Sequence, residues 1–223
     1  MADDLSLEDI ALRHAPWMPA VLEDVDLRVP AGSRVAVVGP SGSGKSSIAD
    51  LCARLIDPTS GTVRLGGTDL RQLEPSLLHG RLAYLTQRGE LFDDTIAGNL
   101  RIAQPGAGEP ALWRALEVAG LASFVADLPA GLDTWVGESG RRLSGGQGRR
   151  LALARVVLRD APVVLLDEPF TGLDGATAAE VAERLDQWLA GRTALLLAHS
   201  VAALPSVEYI HELRDGRLHP LRP

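Results

Sequence analysis

The residues best suited to chemistry lie in one run, Val35-Ala-Val-Val-Gly39-Pro40-Ser41-Gly42-Ser43-Gly44-Lys45-Ser46-Ser47. Gly39, Gly44, Lys45 and Ser46 fit the spacing G-x-x-x-x-G-K-[ST] of a phosphate-binding P-loop. Glycines lack Cβ, so the backbone can curl and turn its N–H groups onto phosphate oxygens. Lys45 is placed to reach the β- and γ-phosphates, and the Ser46 hydroxyl to ligate Mg²⁺. A glycine-rich turn without function is the alternative. The apolar strand expected before it (Val35 to Val38) and the helix expected after it (Ser47 to Ile56) argue for a phosphate site, because the helix N-terminus adds its positive end to the cradle.

Two further stretches carry chemistry. Val163-Val-Leu-Leu-Asp167-Glu168 is an apolar strand ending in two carboxylates. Ligands of open α/β sheets sit at the carboxyl ends of strands. Asp167 is expected to hold the metal and Glu168 to polarise a water for in-line attack on the γ-phosphate. Two acids that merely cap a strand end are the plainer reading. Leu143-Ser144-Gly145-Gly146-Gln147 places a serine and two glycines at a helix start, a second anion cradle.

The elements that must position these groups follow from patterning. Alternation over Leu5 to Arg13 and Val21 to Val29 predicts strands, as do shorter runs at Thr62 to Leu65, Leu82 to Leu85, Thr193 to Ala198 and Tyr209 to Leu213. Helical spacing appears between about Ile96 and Leu128, with Pro110 starting a helix over Ala111 to Ala119. Further helices are expected at Arg149 to Leu158, Ala176 to Leu189 and, briefly, Val201 to Leu204. Strands alternating with helices predict an α/β fold with a mostly parallel sheet flanked by helices. The 223 residues carry a net charge of −7, which argues against general nucleic-acid binding. Cys52 is the single cysteine, which excludes an internal disulfide or a cysteine-based metal site. No window reaches the ~18 continuous apolar residues of a membrane span, and the acidic N-terminus is unlike a signal peptide. The chain reads as soluble and intracellular.

Taken in order, Gly39 to Ser46, Leu143 to Gln147 and Val163 to Glu168 resemble the nucleotide-binding domain of ATP-binding cassette (ABC) proteins, whose signature motif is Leu-Ser-Gly-Gly-Gln. The resemblance covers essentially the whole chain. It implies a P-loop NTPase core with an antiparallel β subdomain (about 1–86 and 159–223) and a helical subdomain (87–158) carrying the signature, together one ATPase domain over 1–223. It implies ATP and Mg²⁺ as ligands. It also implies a head-to-tail dimer, identical or mixed, in which Ser144, Gly145, Gly146 and Gln147 of one domain close on ATP held by the other. Gln87 matches the Q-loop glutamine that contacts Mg²⁺ and the attacking water, Asp174 the D-loop, and His199 the switch histidine that reads the γ-phosphate. His14 and Trp17 compete equally for stacking on adenine. Ser47 stands where many members have Thr, and Gly148 where a polar residue is usual; a glycine in the first turn costs up to ~1 kcal/mol.

Glu90 to Leu100 and Thr134 to Gly140 resemble the Q-loop extension and x-loop of exporter-type domains. This implies a transmembrane domain as partner, on the same native polypeptide but outside this chain, and a place at the cytoplasmic face of a membrane. The run from Glu138 to Arg155 looks like the exporters that support cytochrome bd assembly. The reading is therefore an exporter's ATP-hydrolysing motor. Two alternatives stay open: a soluble ABC ATPase without a membrane partner, and a regulatory subunit that binds ATP without turnover.

Overall fold

The computed structural model describes residues 3–201 and 204–221. By backbone proximity the chain forms two compact units, Met1–Tyr84 with Pro162–Glu168 and Leu189–Pro223, and Leu85–Ala161 with Pro169–Trp188. Residues 169–188 thus group with the second unit, whereas the sequence assigns 159–223 to the core.

The first unit holds two sheets. Strands β1 (Leu5–Leu12), β2 (Leu22–Val29), β4 (Ser60–Leu65) and β5 (Thr68–Asp69) form an antiparallel sheet in the order β2-β1-β4-β5. The alternation of β1 is broken at Asp9, which has a left-handed φ of 52°, and its register shifts there against both neighbours. The second sheet is six-stranded, in the order β10-β9-β3-β8-β7-β6. Its members are β3 (Arg34–Val38), β6 (Leu82–Leu85), β7 (Val163–Asp167), β8 (Thr193–Ala198), β9 (Tyr209–Arg214) and β10 (Arg217–Leu221). Strands β7, β8, β3 and β9 pair in parallel, and β10 returns antiparallel to β9. All five residues of β7 are buried, which is why it reads as an unbroken apolar run rather than an alternation. Val35, Val37, Val163, Leu165, Leu195 and Leu197 share one core with helix α1 (Lys45–Cys52) and with the antiparallel sheet.

Helix α1 is shorter than the expected Ser47 to Ile56. Arg54 takes a left-handed φ of 53°, Leu55 N–H bonds Asp50 O at 2.8 Å and Arg54 N–H bonds Leu51 O at 3.0 Å. That pair of bonds is a Schellman stop. A helix not anticipated from sequence, α2 (Pro75–Arg81), begins on a proline and leads into β6. The short helix expected at Val201 to Leu204 falls partly outside the described residues.

The second unit is helical: α3 (Ile96–Arg101), α4 (Glu109–Val118), α5 (Ala122–Ala126), α6 (Gly145–Arg159) and α7 (Gly175–Trp188). Helix α6 packs against α3 and α4, and α4 also meets α5 and α7. The buried faces are Ile96 and Leu100, Leu112 and Leu116, Leu151 and Leu153, and Val181 and Leu185. Among the described residues no helix is long and apolar enough to cross a membrane.

Candidate functional site

Three adjacent parallel strands deliver the chemistry of the first unit. Register pairs Val38 of β3 with Ala198 of β8, and Leu197 of β8 with Asp167 of β7. The residues that follow these strand ends are therefore neighbours: Gly39, His199 and Glu168. This is the carboxyl edge of the sheet, where α/β proteins bind ligands.

The loop from Gly39 to Gly44 is fitted closely to its surroundings. A Cβ on Gly39 would lie 2.5 Å from the Leu213 carbonyl oxygen, and Gly44 has a φ of 104° with Val21 and Leu22 against it. Gly42, at φ 76°, faces open space. Pro40, Ser41 and Gly42 lie at the exposed or open rim of the loop, and Ser47 lies within α1. The N-cap of α1 is Gly44, which offers no side-chain cap, and the first turn carries no acid. The leading N–H groups of this helix thus await an external acceptor. The Ser43 hydroxyl is buried in the same loop with no hydrogen-bond partner among the described residues. A phosphate chain supplies the acceptors that both features call for.

Lys45 is buried, and its Nζ donates to the carbonyls of Gly39 and Pro40, each at 2.8 Å. Burial lowers its pKa, and the charges of Glu168 and Asp167 oppose that shift. Ser46 Oγ donates to Asp167 Oδ2 at 2.6 Å, and Asp167 has no exposed surface. These two hard oxygen donors fit Mg²⁺, which takes one or two protein oxygens together with substrate phosphates and keeps several waters.

Glu168 is the unusual residue. It is buried, yet its φ is 51°, a left-handed conformation that costs a non-glycine residue roughly 1–2 kcal/mol. Its N–H donates to Leu197 O at 2.8 Å, and its Oε1 lies 2.7 Å from His199 Nε2. The turn at Glu168 carries the chain out of the strand immediately after Asp167. It gives the two adjacent carboxylates different partners, Ser46 for one and His199 for the other. His199 stays half exposed.

His14 and Trp17 both sit in the loop between β1 and β2 and are both exposed, Trp17 to 85%. Val21, at the end of that loop, touches the Gly44 position. Nothing in the geometry chooses between the two aromatic rings.

The second unit holds the remaining predicted residues. Ser144 is the N-cap of α6: its Oγ accepts from Gln147 N at 3.2 Å, and its own N–H donates to Gln147 Oε1 at 2.8 Å. This is a capping box, so the Gln147 side chain is committed within its own helix. Ser144 and Gly145 are exposed, and a Cβ on Gly146 would lie 2.8 Å from the Gly172 carbonyl oxygen. Gly148 has room, since a Cβ there would meet only Leu91, at 3.6 Å. Asp174 caps α7, accepting from the Thr177 backbone N–H at 3.0 Å and hydroxyl at 2.7 Å. Gln87 is exposed, two residues after the end of β6, and its carbonyl accepts from Arg149 Nη1 at 2.9 Å. Arg149 escaped the sequence reading, because its role lies in backbone carbonyls that no spacing rule announces.

The two stretches read as exporter-like are laced together. Ile96 N–H bonds Thr134 O at 2.9 Å, Val136 N–H bonds Asp94 O at 2.9 Å, and Trp135 Nε1 donates to Asp93 Oδ1 at 3.0 Å. Buried Asn99 satisfies its amide on the backbone of Phe92 and Thr95. Phe92 and Trp135 remain 56% and 44% exposed.

Comparison with known proteins places this geometry. A model described as ABC transporter matches residues 22–171. An ATP-dependent lipid A-core flippase from Ralstonia nicotianae is 40% identical over 96% of this chain and 37% of its own length. ATP-binding cassette sub-family B member 10, mitochondrial, from Mus musculus is 40% identical over 89% of this chain and 28% of its own length. The structure of a bacterial Atm1-family ABC exporter with ATP bound superposes with a TM-score of 0.94 at 33% identity, covering 98% of this chain and 38% of that one. The chain thus spans between 28% and 38% of the length of these proteins. The likeness to cytochrome bd assembly exporters is not supported. The run from Glu138 to Arg155 consists largely of the capping box and buried packing residues of α6, which identify the family rather than a branch of it. The chain belongs to the ABC transporter family and is an ATP-binding domain of the kind carried by lipid A flippase-type and Atm1-type exporters.

Proposed function

We propose that this domain binds Mg-ATP and hydrolyses it to drive an exporter. The observation that carries the reading is the edge formed by Ser46, Asp167, Glu168 and His199, with Lys45 beneath the loop. The P-loop amides and Lys45 hold the β- and γ-phosphates, Lys45 exchanging its carbonyl partners for phosphate oxygens. Ser46 and Asp167 hold Mg²⁺, which when bound neutralises charge on the phosphate oxygens. Glu168 orients a water and accepts its proton as the oxygen attacks the γ-phosphorus in line, releasing ADP and phosphate. His199 holds the Glu168 carboxylate and senses the γ-phosphate. Gln87 serves the metal and the water, and His14 or Trp17 stacks on adenine.

The exposed start of α6 serves the ATP of a second nucleotide-binding domain in a head-to-tail dimer, with Asp174 at the dimer seam. Phe92 and Trp135 supply apolar surface for a transmembrane domain on the same polypeptide, at the cytoplasmic face of a membrane. The length of the relatives supports this, since each extends well beyond the matched region.

Replacing Glu168 with Gln tests the reading. General-base catalysis contributes about 10²–10⁴-fold, so kcat for ATP should fall at least about a hundredfold with little change in ATP affinity. A variant turning over at the normal rate would refute the assignment.

A further inference from the structure

Arg149 is buried on α6, one helical turn after Gly145. Its Nη1 donates to the carbonyls of Thr86 at 2.6 Å and Gln87 at 2.9 Å. The Thr86 carbonyl also accepts from Gly89 N–H at 3.2 Å, closing the turn that presents Gln87. The turn lies directly on the helix. Gly89 has a φ of 55°, and a Cβ there would come 3.0 Å from Arg149 Nη1 and 3.2 Å from Ala152 Cβ. Further along α6, Arg155 Nη2 donates to the Glu90 carbonyl and its guanidinium stands 5.8 Å from the Phe92 ring centroid. Hydrogen bonds from a charged donor are the stronger kind, and only a guanidinium brings several fixed donors and no acceptor. Two arginines of one helix therefore hold the 86–90 strip by the carbonyls of Thr86, Gln87 and Glu90.

We propose that Arg149 is a positioning residue, tying the Gln87 turn to the signature-bearing helix so that Gln87 and the Ser144 cap are set by one rigid element. The same capping box that fixes Ser144 on α6 lies within two turns of the arginine that fixes Gln87. A displacement of either end is transmitted to the other through the first turns of the helix. The tie itself is a matter of geometry. Its effect on turnover rests on the ATPase reading above.

The test uses the whole 223-residue chain. Hydrogen exchange is followed over residues 86–90 and over β3 and β7, alongside kcat and KM for Mg-ATP. Arg149→Ala should speed exchange at 86–90 about tenfold or more while leaving β3 and β7 unchanged, as expected when a buried charge-assisted hydrogen bond is lost. It should lower kcat about tenfold with KM within about twofold, and add nothing in a Gln87→Ala background, since both changes disable one device. Arg149→Lys should recover part of the loss. Unchanged exchange at 86–90 would overturn the tie. So would a general rise in exchange with kcat falling only as the folded fraction, or full additivity with Gln87→Ala. Failure of Glu168→Gln to slow turnover would instead overturn the ATPase reading, and the exchange result would still judge the tie.

Discussion

The two helix N-termini of the candidate site are built in opposite ways. Helix α1 starts at a glycine with no side-chain cap, beneath a loop whose Ser43 hydroxyl is buried without a partner among the described residues and whose flanking Lys45, Asp167 and Glu168 are buried. Helix α6 starts at Ser144 with a complete capping box, and Ser144 and Gly145 face outward. A buried, uncapped terminus needs a ligand held within its own unit. A capped, exposed terminus is stable without one, and presents only the leading amides of Gly145 and Gly146 to whatever arrives. On the proposed reading, this contrast separates binding, assigned to the first unit, from completion of another molecule's site, assigned to the second.

Paired glycine substitutions test that separation most strongly. Gly39→Ala drives a Cβ against the Leu213 carbonyl, and overpacking of this kind costs about 1–3 kcal/mol, so ATP affinity should fall about tenfold or more in a nucleotide titration. Gly146→Ala meets the Gly172 carbonyl instead. It should leave ATP affinity of the single domain within about twofold and lower turnover about tenfold. Equal effects on affinity would erase the distinction. His199→Ala removes the imidazole beside Glu168, and kcat should fall about tenfold or more at unchanged affinity, with Gln at 199 recovering part of it.

Stability tests are smaller. Hydrogen bonds from the Thr177 backbone and hydroxyl hold the Asp174 carboxyl below its ordinary range. The folded pKa lies below the unfolded one, so the cap stabilises above the ordinary carboxylate range and its contribution fades as pH falls through the lowered value. Asp174→Ala should lower Tm at neutral pH, and the difference from the parent should vanish on acidification. Gly148→Ala should raise stability by about 0.5–1 kcal/mol, because α6 gains a better helix former where only Leu91 stands near.

Much of this was legible in the sequence, for physical reasons. Strands β6 and β8 fall at the predicted bounds, because strands buried along nearly their whole length read as short apolar runs. The P-loop was legible because its glycine spacing is dictated by backbone approach to phosphate. Helix α6 starts at Gly145 rather than Arg149, since the Ser144–Gln147 box nucleates a turn that apolar periodicity does not mark. Strand β10 was missed, its five residues being half or fully exposed and so lacking an apolar signal. The left-handed backbone of Glu168 and the carbonyl contacts of Arg149 leave no pattern at all, because both are set by tertiary packing. The exposed pair His14 and Trp17 remains as evenly matched in the structure as in the sequence.

In the proposed dimer, the P-loop site of one domain is completed by the exposed start of α6 from another. Light scattering on the Glu168→Gln variant, with and without Mg-ATP, tests it directly. The expected result is an ATP-dependent shift from the 23.6 kDa monomer to twice that mass, reversed by adding Gly146→Ala while ATP stays bound. A dimer indifferent to ATP and to Gly146→Ala, or an ATP-loaded monomer throughout, would contradict it.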